Sequence, residues 1–255
     1  MRIMVMPDTQ VKPGVPIDHL RWAGEYAVDK LPDVIVHIGD HWDMASLSSY
    51  DKSTKKAEGQ TVQADIDAGI LGMQAFLEPI RREQDRRVKG HRERWNPRMV
   101  FCLGNHEQRI MRHVNANPNL CGLLSYDNLK LQEMGWEVYD YLEPVEIEGI
   151  CFSHFFTSGV MGKAVSSPRV LLSKGHMSAV MGHVQDCAVE FSKQSNGLRM
   201  TGIFAGIFYQ HEEEYLGKQN NGSWRGIWML NECDRGQFDH MMVSLPFLRK
   251  KYEGR

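Results

Sequence analysis

The sequence has 255 residues, which is enough for one large α/β domain or for two small ones. Hydrophobic residues make up 42% and charged residues 24%, as in ordinary globular proteins, and the formal net charge of −2 excludes a global attraction to nucleic acid or anionic membranes. Apolar runs are too short for a signal peptide or a membrane span, and the five cysteines are scattered without a C-x-x-C pair. We therefore expect a cytoplasmic protein with free thiols and no membrane partner.

The first half of the chain alternates between apolar strands and amphipathic helices. Three continuous apolar runs predict buried strands, at 2–6, 34–38 and 98–103. Apolar residues at helical spacing predict a helix over 17–31, ended by Pro32, and a second helix from Val62 up to Pro79. This order predicts crossover connections and a largely parallel first sheet.

The second half consists of short apolar segments that are separated by turns and often alternate with polar residues, as in antiparallel strands. The segments are EVYDY, VEIEGICFSHF, AVMGH, CAVEFSK, LRMTGIFAG, RGIWMLNE and FDHMMVSL. A chain that begins as strand–helix–strand and ends in this way predicts two stacked sheets with helices outside them.

One local run of charge stands out at residues 81–98, with eight lysines and arginines against three acidic residues. It fits either a solvated helix face with i,i+4 pairs such as Glu83–Arg87, or a surface that approaches a polyanion, and the sequence leaves both open. We expect a single domain over 1–255, with a helical basic insertion at about 44–97.

Polar side chains follow five of the predicted strands, at the point where each strand ends. They are Asp8 and Gln10; Asp40 and Asp43; Asn105, His106 and Glu107; His154; and His183 and Gln185. Each has an ordinary explanation alone, because an aspartate after a strand usually caps a turn and a lone buried histidine is usually a core residue. Ligands of open α/β sheets bind outside the carboxyl ends of the strands, so we expect these residues to converge on one rim.

In chain order these residues read Asp-x-Gln, Gly-Asp-x-x-Asp, Gly-Asn-His-Glu, His and Gly-His-x-Gln. The order resembles the calcineurin-like metallophosphoesterases, whose pattern is Asp-x-His, Gly-Asp-x-x-Asp, Gly-Asn-His-Asp/Glu, His and Gly-His-x-His. The resemblance covers residues 8 to 185, and the layout, with GSWRGIWML late in the chain, looks like metallophosphoesterases encoded by bacteriophages. It implies an α/β fold, a four-layer α/β/β/α sandwich of two mixed sheets with a dinuclear metal site at the strand ends.

The resemblance also implies the ligands of two divalent ions. Asp8, Gln10, Asp40 and Gln185 would surround one ion, and Asp40, Asn105, His154 and His183 would surround the other. Asp40 would bridge them, because each oxygen of a carboxylate can serve one cation. Paired metals can share a hydroxide and hold the attacking and leaving oxygens of a phosphoryl group in line.

Two further residues receive catalytic roles from the resemblance. His106 is the family's histidine that binds no metal, and it would protonate the leaving group or stabilise charge in the transition state. Glu107 or Asp43 could hold its imidazole, and the sequence does not decide between them. Arg109 completes Gly-Asn-His-Glu-Gln-Arg, as in protein serine/threonine phosphatases, where this arginine grips phosphate; the alternative is a surface helix residue.

Gln10 and Gln185 depart from the family pattern, and both fall on the same predicted ion. Amide oxygens are harder and weaker ligands than imidazole, which favours Mn²⁺, with Mg²⁺ possible, over Zn²⁺ or iron. We expect an altered but working site; the alternative is a weak or empty first site.

The function predicted from the sequence is a metal-dependent phosphoesterase, foremost a phosphodiesterase or nuclease. The basic run at 81–98 and the aromatic segment SWRGIW favour a nucleotide or nucleic acid as substrate. One alternative is a phosphomonoesterase acting on phosphoprotein or small phosphate esters. Another is a non-catalytic metal-binding scaffold, against which the presence of His106 argues. The oligomeric state is not predicted.

Overall fold

The computed structural model describes residues 1–48, 59–213 and 222–254, and part of the predicted insertion at about 44–97, residues 49–58, lies outside these ranges. The described residues form an α/β structure with two mixed sheets and five α-helices. The helices are α1 (Asp18–Lys30), α2 (Val62–Lys89), α3 (Gln108–Ala116), α4 (Pro168–Gly175) and α5 (Leu245–Tyr252).

Six strands form the first sheet, in the order β13-β12-β1-β2-β3-β4. They are β1 (Ile3–Met6), β2 (Val34–His37), β3 (Arg98–Cys102), β4 (Glu137–Tyr139), β12 (Gly226–Asp234) and β13 (Gln237–Ser244). The three strands predicted in the first half are neighbours and parallel, as expected, whereas β12 and β13 pair antiparallel and make the sheet mixed.

Five strands form the second sheet, in the order β10-β11-β9-β6-β5. They are β5 (Val145–Ile147), β6 (Ile150–Ser153), β9 (Ser178–Met181), β10 (Cys187–Lys193) and β11 (Arg199–Ala205), and a two-stranded hairpin of β7 (Thr157–Ser158) and β8 (Lys163–Ala164) stands apart. The antiparallel expectation is wrong for the centre of this sheet, because β11, β9 and β6 are parallel neighbours. Alternation along a short strand reports which face is buried, not the direction of its partner.

Alternate side chains of β1 enter different cores. Ile3 and Val5 pack between the two sheets, whereas Met4 and Met6 face a core that α1 and α2 cover. On the far face of the second sheet, Leu171 of α4 packs in a third, smaller core. Residues of both sheets therefore share one core, and residues of α1, α2 and α4 pack in the other two.

Helix α2 runs ten residues beyond Pro79, so the predicted end of this helix is wrong. A proline inside a helix lacks one N–H donor, which ordinarily favours a break. Here the next residue, Ile80, is buried in the same core as Phe76, and this burial offsets the missing hydrogen bond. The last turns carry the expected i,i+4 pair, with Arg87 Nε 2.7 Å from Glu83 Oε1.

Candidate metal centre

The strand ends of both sheets meet at one edge of the molecule. The backbone N–H groups of Thr9 and Gln10, after β1, donate to the carbonyl oxygen of Asp40, after β2. The ring of His154, after β6, lies against the Ile38 carbonyl of the first sheet, with 2.9 Å between Nδ1 and the oxygen. The backbone N–H of His183, after β9, donates to Asp8 Oδ1 at 3.2 Å.

Two glycines make this convergence possible because side chains there would collide with the carboxylates. A Cβ atom on Gly104 would lie 2.2 Å from Asp40 Oδ1, and one on Gly182 would lie 2.3 Å from Asp8 Oδ1. Their role is therefore close approach of the backbone to the predicted ligands.

Four of the predicted ligands contact one another directly. Asn105 Oδ1 lies 2.8 Å from His154 Nε2 and 2.7 Å from His183 Nδ1, and Asp40 Oδ2 lies 3.3 Å from His154 Nε2. Among the described residues, Asp40, His154 and His183 are the one group of acidic, histidine or cysteine side chains whose ligand atoms are close enough to hold a metal ion.

The hydrogen bond of His154 fixes which of its ring nitrogens faces this cluster. Because Nδ1–H donates to the Ile38 carbonyl, Nε2 turns towards Asp40 and Asn105, as in histidines that bind metals. Burial lowers the pKa of His154, but the carboxylate of Asp40 outweighs it and raises the pKa to about 9. Burial and the neighbouring His154 lower the pKa of His183 to about 4, so this imidazole is a neutral donor. With this raised pKa the metal-free His154 is protonated at neutral pH, so a metal ion would bind its Nε2 by displacing a proton.

The residues predicted for the first ion lie beside this cluster and leave buried polar atoms without partners. Asp8 Oδ2 and Gln10 Nε2 are buried and make no hydrogen bond. Burial raises the pKa of Asp8 to about 7. Because no hydrogen bond fixes the Gln10 amide, its oxygen can take the position of the nitrogen. Gln185 is half-buried and lies two residues beyond His183, on the same turn. An unpaired buried carboxylate oxygen such as that of Asp8 fits a cation.

Asp43, and not Glu107, is the carboxylate beside the predicted catalytic histidine. Asp43 Oδ1 lies 3.1 Å from His106 Nδ1, and the other ring nitrogen lies 3.7 Å from Asp40 Oδ2. Burial lowers the pKa of His106, but Asp40 and Asp43 outweigh it and raise the pKa above its ordinary value. Lys12 Nζ lies 3.4 Å from the second oxygen of Asp43, which further fixes this carboxylate.

The carboxylate of Glu107 accepts hydrogen bonds from backbone N–H groups of the site. Its Oε1 accepts the N–H groups of His41 at 2.8 Å and Trp42 at 3.0 Å, and its Oε2 accepts those of Asp40 at 3.0 Å and Gly104 at 2.8 Å. One fully buried carboxylate therefore joins the turns after β2 and β3.

Arg109 lies within the same loop region and is largely buried. Its Nη1 donates to the carbonyl oxygens of Asp43 at 2.7 Å and Met44 at 3.3 Å, and its Nη2 lies 3.0 Å from His106 Nε2. These contacts hold the Asp43–Met44 backbone beside His106. The phosphate-gripping role expected from the motif remains a prediction.

A second buried network, which the sequence did not indicate, supports the turn after β2. Thr9 Oγ1 lies 3.1 Å from His37 Nε2 and 2.7 Å from His41 Nδ1. His41 Nε2 reaches the Gly69 carbonyl of α2 at 2.8 Å, and His37 Nδ1 accepts the N–H of Gly39 at 3.2 Å. If the Thr9 hydroxyl donates to His41 and accepts from His37, every donor in this chain has an acceptor.

Comparisons with known proteins identify no family. No family profile matches the chain. A stretch of 118 residues, 45% of the chain, is 34% identical to the Gene 54 protein of Mycobacterium phage L5, and the match spans 44% of that protein. A solved structure of YfcE, a phosphoesterase from E. coli, aligns over 96% of this chain and 100% of that one, at a TM-score of 0.40 and 10% identity. No described helix is both long and apolar enough to cross a membrane. The residues of the site therefore carry the functional conclusion.

Proposed function

We propose that the protein is a metal-dependent phosphoesterase, most specifically a phosphodiesterase that acts on nucleotides or nucleic acid. The observation that carries this proposal is the mutual contact of Asn105, His154 and His183 around Asp40, with His106 beside them. A purely structural metal site needs four ligands and no adjacent titratable histidine. The position of His106 therefore supports catalysis over a scaffold role.

Two divalent ions fit the residues present. Asp40, Asn105, His154 and His183 would hold one ion, and Asp8, Gln10 and Gln185, with Asp40 in common, would hold the other. The unpartnered oxygen of Asp8 supports the second assignment, and the Gln10 amide would join it with its oxygen in the position of the nitrogen. Its oxygen-rich set favours Mn²⁺ or Mg²⁺ over Zn²⁺. When bound, such a pair supplies Lewis acidity and lowers the pKa of water at the site.

The protein's own residues would protonate the leaving group. Asp43 lies against Nδ1 of His106 as a charge contact without hydrogen-bond alignment, and Nε2 is the atom that faces Asp40 and the site. Nε2 accepts from Arg109 Nη2 in this structure, and the raised pKa of His106 favours uptake of a proton, which Nε2 would then donate to a departing alkoxide once that contact opens. Arg109 would act as a positioning residue by holding the backbone of Asp43.

A diester suits this site better than a monoester. A phosphate monoester brings a second negative charge, which a cationic side chain such as Arg109 would have to balance. The guanidinium of Arg109 is already engaged by two backbone carbonyl groups and by His106. A singly charged diester needs fewer free cationic side chains to balance its charge.

We further propose that the chain is a single domain with the four-layer α/β/β/α arrangement, in which residues at about 44–97 form a helical insertion. The packing of α1 and α2 on the first sheet, and of α4 on the second, supports this arrangement.

Hydrolysis of two chromogenic substrates tests the proposed function. The metal-free protein should gain activity on bis-p-nitrophenyl phosphate when Mn²⁺ is added, and should act more slowly on p-nitrophenyl phosphate. The reverse preference would establish a phosphomonoesterase. Binding of a single equivalent of metal without hydrolysis of either compound would establish a scaffold.

A further inference from the structure

One long segment of the chain is free of acidic residues and joins two residues of the metal centre. The chain has 32 aspartates and glutamates in 255 residues, yet residues 149–185 contain none. At average composition, these 37 residues would carry four or five. The segment includes His154 and His183 and also the lysines Lys163 and Lys174. The segment itself therefore adds no negative charge that would repel a polyanion.

The β7–β8 hairpin projects from this segment. We name residues 157–164 the arm: Thr157 pairs with Ala164 and Ser158 pairs with Lys163, and the tip reads Gly-Val-Met-Gly. Val160 is 104% exposed and Met161 is 77% exposed, the highest values among the large apolar side chains of the described residues. Apolar side chains that are exposed together indicate a contact surface more often than isolated ones do.

The arm starts at the metal centre. Phe155 follows the ligand His154, and its ring centroid lies 4.5 Å from that of His183. The N–H of Val165 donates to the Phe156 carbonyl at 2.9 Å and closes the base of the arm. Val160 at the tip lies four residues after Phe156 in the chain, so its Cα is within about 14 Å of the base.

Two lysines flank the stem of the arm. Lys174 Nζ, from α4, donates to Ser158 Oγ at 2.8 Å, and Ser158 is the strand partner of Lys163. Neither lysine forms an ion pair with a carboxylate of the described residues. In the basic run at 81–98, Arg86 and Arg87 both pair with Glu83, but Arg92 and Arg94 form no ion pair among the described residues, so what distinguishes the two lysines is their place beside the arm. The arm therefore offers uncompensated positive charge next to the metal centre.

We infer that the arm, together with Lys174, binds single-stranded nucleic acid whose phosphodiester lies in the metal centre. The two lysines contact backbone phosphates, and Val160 and Met161 lie against the faces of bases. Such contacts need unstacked bases, which a duplex does not present. A lipid surface fits less well, because stable membrane binding needs more apolar area than two side chains supply. This inference rests on the proposed function and adds its substrate class.

Binding of a labelled oligonucleotide tests the inference in the full-length, Mn²⁺-loaded protein. The probes are phosphorothioate-linked oligothymidylate and its ribonucleotide counterpart, which resist hydrolysis, and fluorescence anisotropy gives the affinity at several salt concentrations. The Lys163→Glu/Lys174→Glu variant should bind at least about tenfold more weakly. Its slope of log affinity against log salt concentration should be smaller in magnitude by about 1.4, since each phosphate contact on a single strand contributes about 0.7. The Val160→Ser/Met161→Ser variant should bind about tenfold more weakly with the salt slope unchanged, because apolar contact with the bases releases no counterions.

The matched control reverses two exposed charges of the basic run, Arg92→Glu/Arg94→Glu, and should leave oligonucleotide affinity unchanged. All three variants should hydrolyse bis-p-nitrophenyl phosphate at the wild-type rate. If the control variant loses affinity and the arm variants do not, the inference is overturned. It is also overturned if the wild type binds vesicles of phosphatidylcholine and phosphatidylserine but no oligonucleotide. Lack of diester hydrolysis by the wild type overturns the proposed function instead, so the two failures are distinguishable.

Discussion

The carboxylate of Glu107 accepts the backbone N–H of His41 at 2.8 Å, although 66 residues separate them in the chain. Three more backbone N–H groups donate to the same carboxylate, from Asp40, Trp42 and Gly104. Glu107 therefore positions the metal-site turns, and it is not available to orient His106.

Replacement of Glu107 by glutamine should destabilise the protein. A neutral amide has one acceptor oxygen and one donor nitrogen, so N–H groups that the carboxylate satisfied become unpaired in the interior. We expect the free energy of unfolding to fall by about 2–4 kcal/mol in urea denaturation. The exposed Glu133→Gln should change it little. A Glu107→Gln protein as stable as the wild type would show that these hydrogen bonds do not hold the turns.

Replacement of Thr9 by valine should weaken metal binding without removing a ligand. Valine keeps the shape but leaves His37 and His41 without the hydroxyl between them, so the turn that carries Asp40 loses its support. We expect the Mn²⁺ affinity to fall by about tenfold in isothermal titration, at the low end of changes for residues that support ligands. Thr9→Ser keeps the hydroxyl and should restore the affinity. Equal affinities in the two variants would refute the positioning role.

Replacement of His106 by alanine should abolish most turnover and leave metal binding intact. His106 lies beside Asp40, and we assign it to the proton of the leaving group, a contribution of about 100-fold or more to kcat. Asp43→Asn should also lower kcat, since it removes the charge that orients the ring. His91→Ala, on an exposed histidine, is the control. Loss of Mn²⁺ from the His106→Ala protein would mean that His106 is a ligand.

The local patterns predicted the elements and the parallel first sheet of β1, β2 and β3, but not the partners of the later strands. Continuous apolar runs located β1, β2 and β3, because a strand buried on both faces has an unmistakable composition. The sheet assignments of β4, β12 and β13 depend on contacts between distant parts of the chain, which short segments do not encode. The end of α2 was wrongly predicted at Pro79 for the same reason. The burial of Ile80 that lets the helix continue is a tertiary contact, which the local sequence pattern does not show.

The candidate site was similarly predictable only in part. The motifs named the residues that now lie together at the strand ends, from Asp8 to His183. The sequence could not choose between Glu107 and Asp43 as the partner of His106, because both are acidic and only the fold places one of them against the ring. No sequence pattern indicates the hydrogen bonds of the Thr9 hydroxyl, because its histidine partners lie 28 and 32 residues away in the chain.

The stability of the metal-free protein should depend on the buried His19. Burial lowers its folded-state pKa to about 3, whereas the unfolded chain has an ordinary histidine. Between these two values the unfolded state binds more protons, so stability falls as the pH falls through about 6.5. At pH 5 the loss from this residue is about 2 kcal/mol relative to pH 8.

Urea denaturation in the presence of a chelator at several pH values measures this effect. The His19→Gln variant should lose about 2 kcal/mol less than the wild type between pH 8 and pH 5. The exposed His91→Gln should follow the wild-type profile. Identical profiles for His19→Gln and the wild type would show that His19 is not held neutral by burial.

Metal stoichiometry measured together with diester hydrolysis tests the central claim most directly. The chelated protein should be inactive on bis-p-nitrophenyl phosphate, and activity should return as Mn²⁺ is titrated to two equivalents. His154→Asn should bind Mn²⁺ far more weakly and should stay inactive over the same range, because the nitrogen that faces Asp40 is lost. Full activity in the chelated protein, or two bound Mn²⁺ ions without hydrolysis, would contradict the assignment of this cluster as a catalytic metal centre.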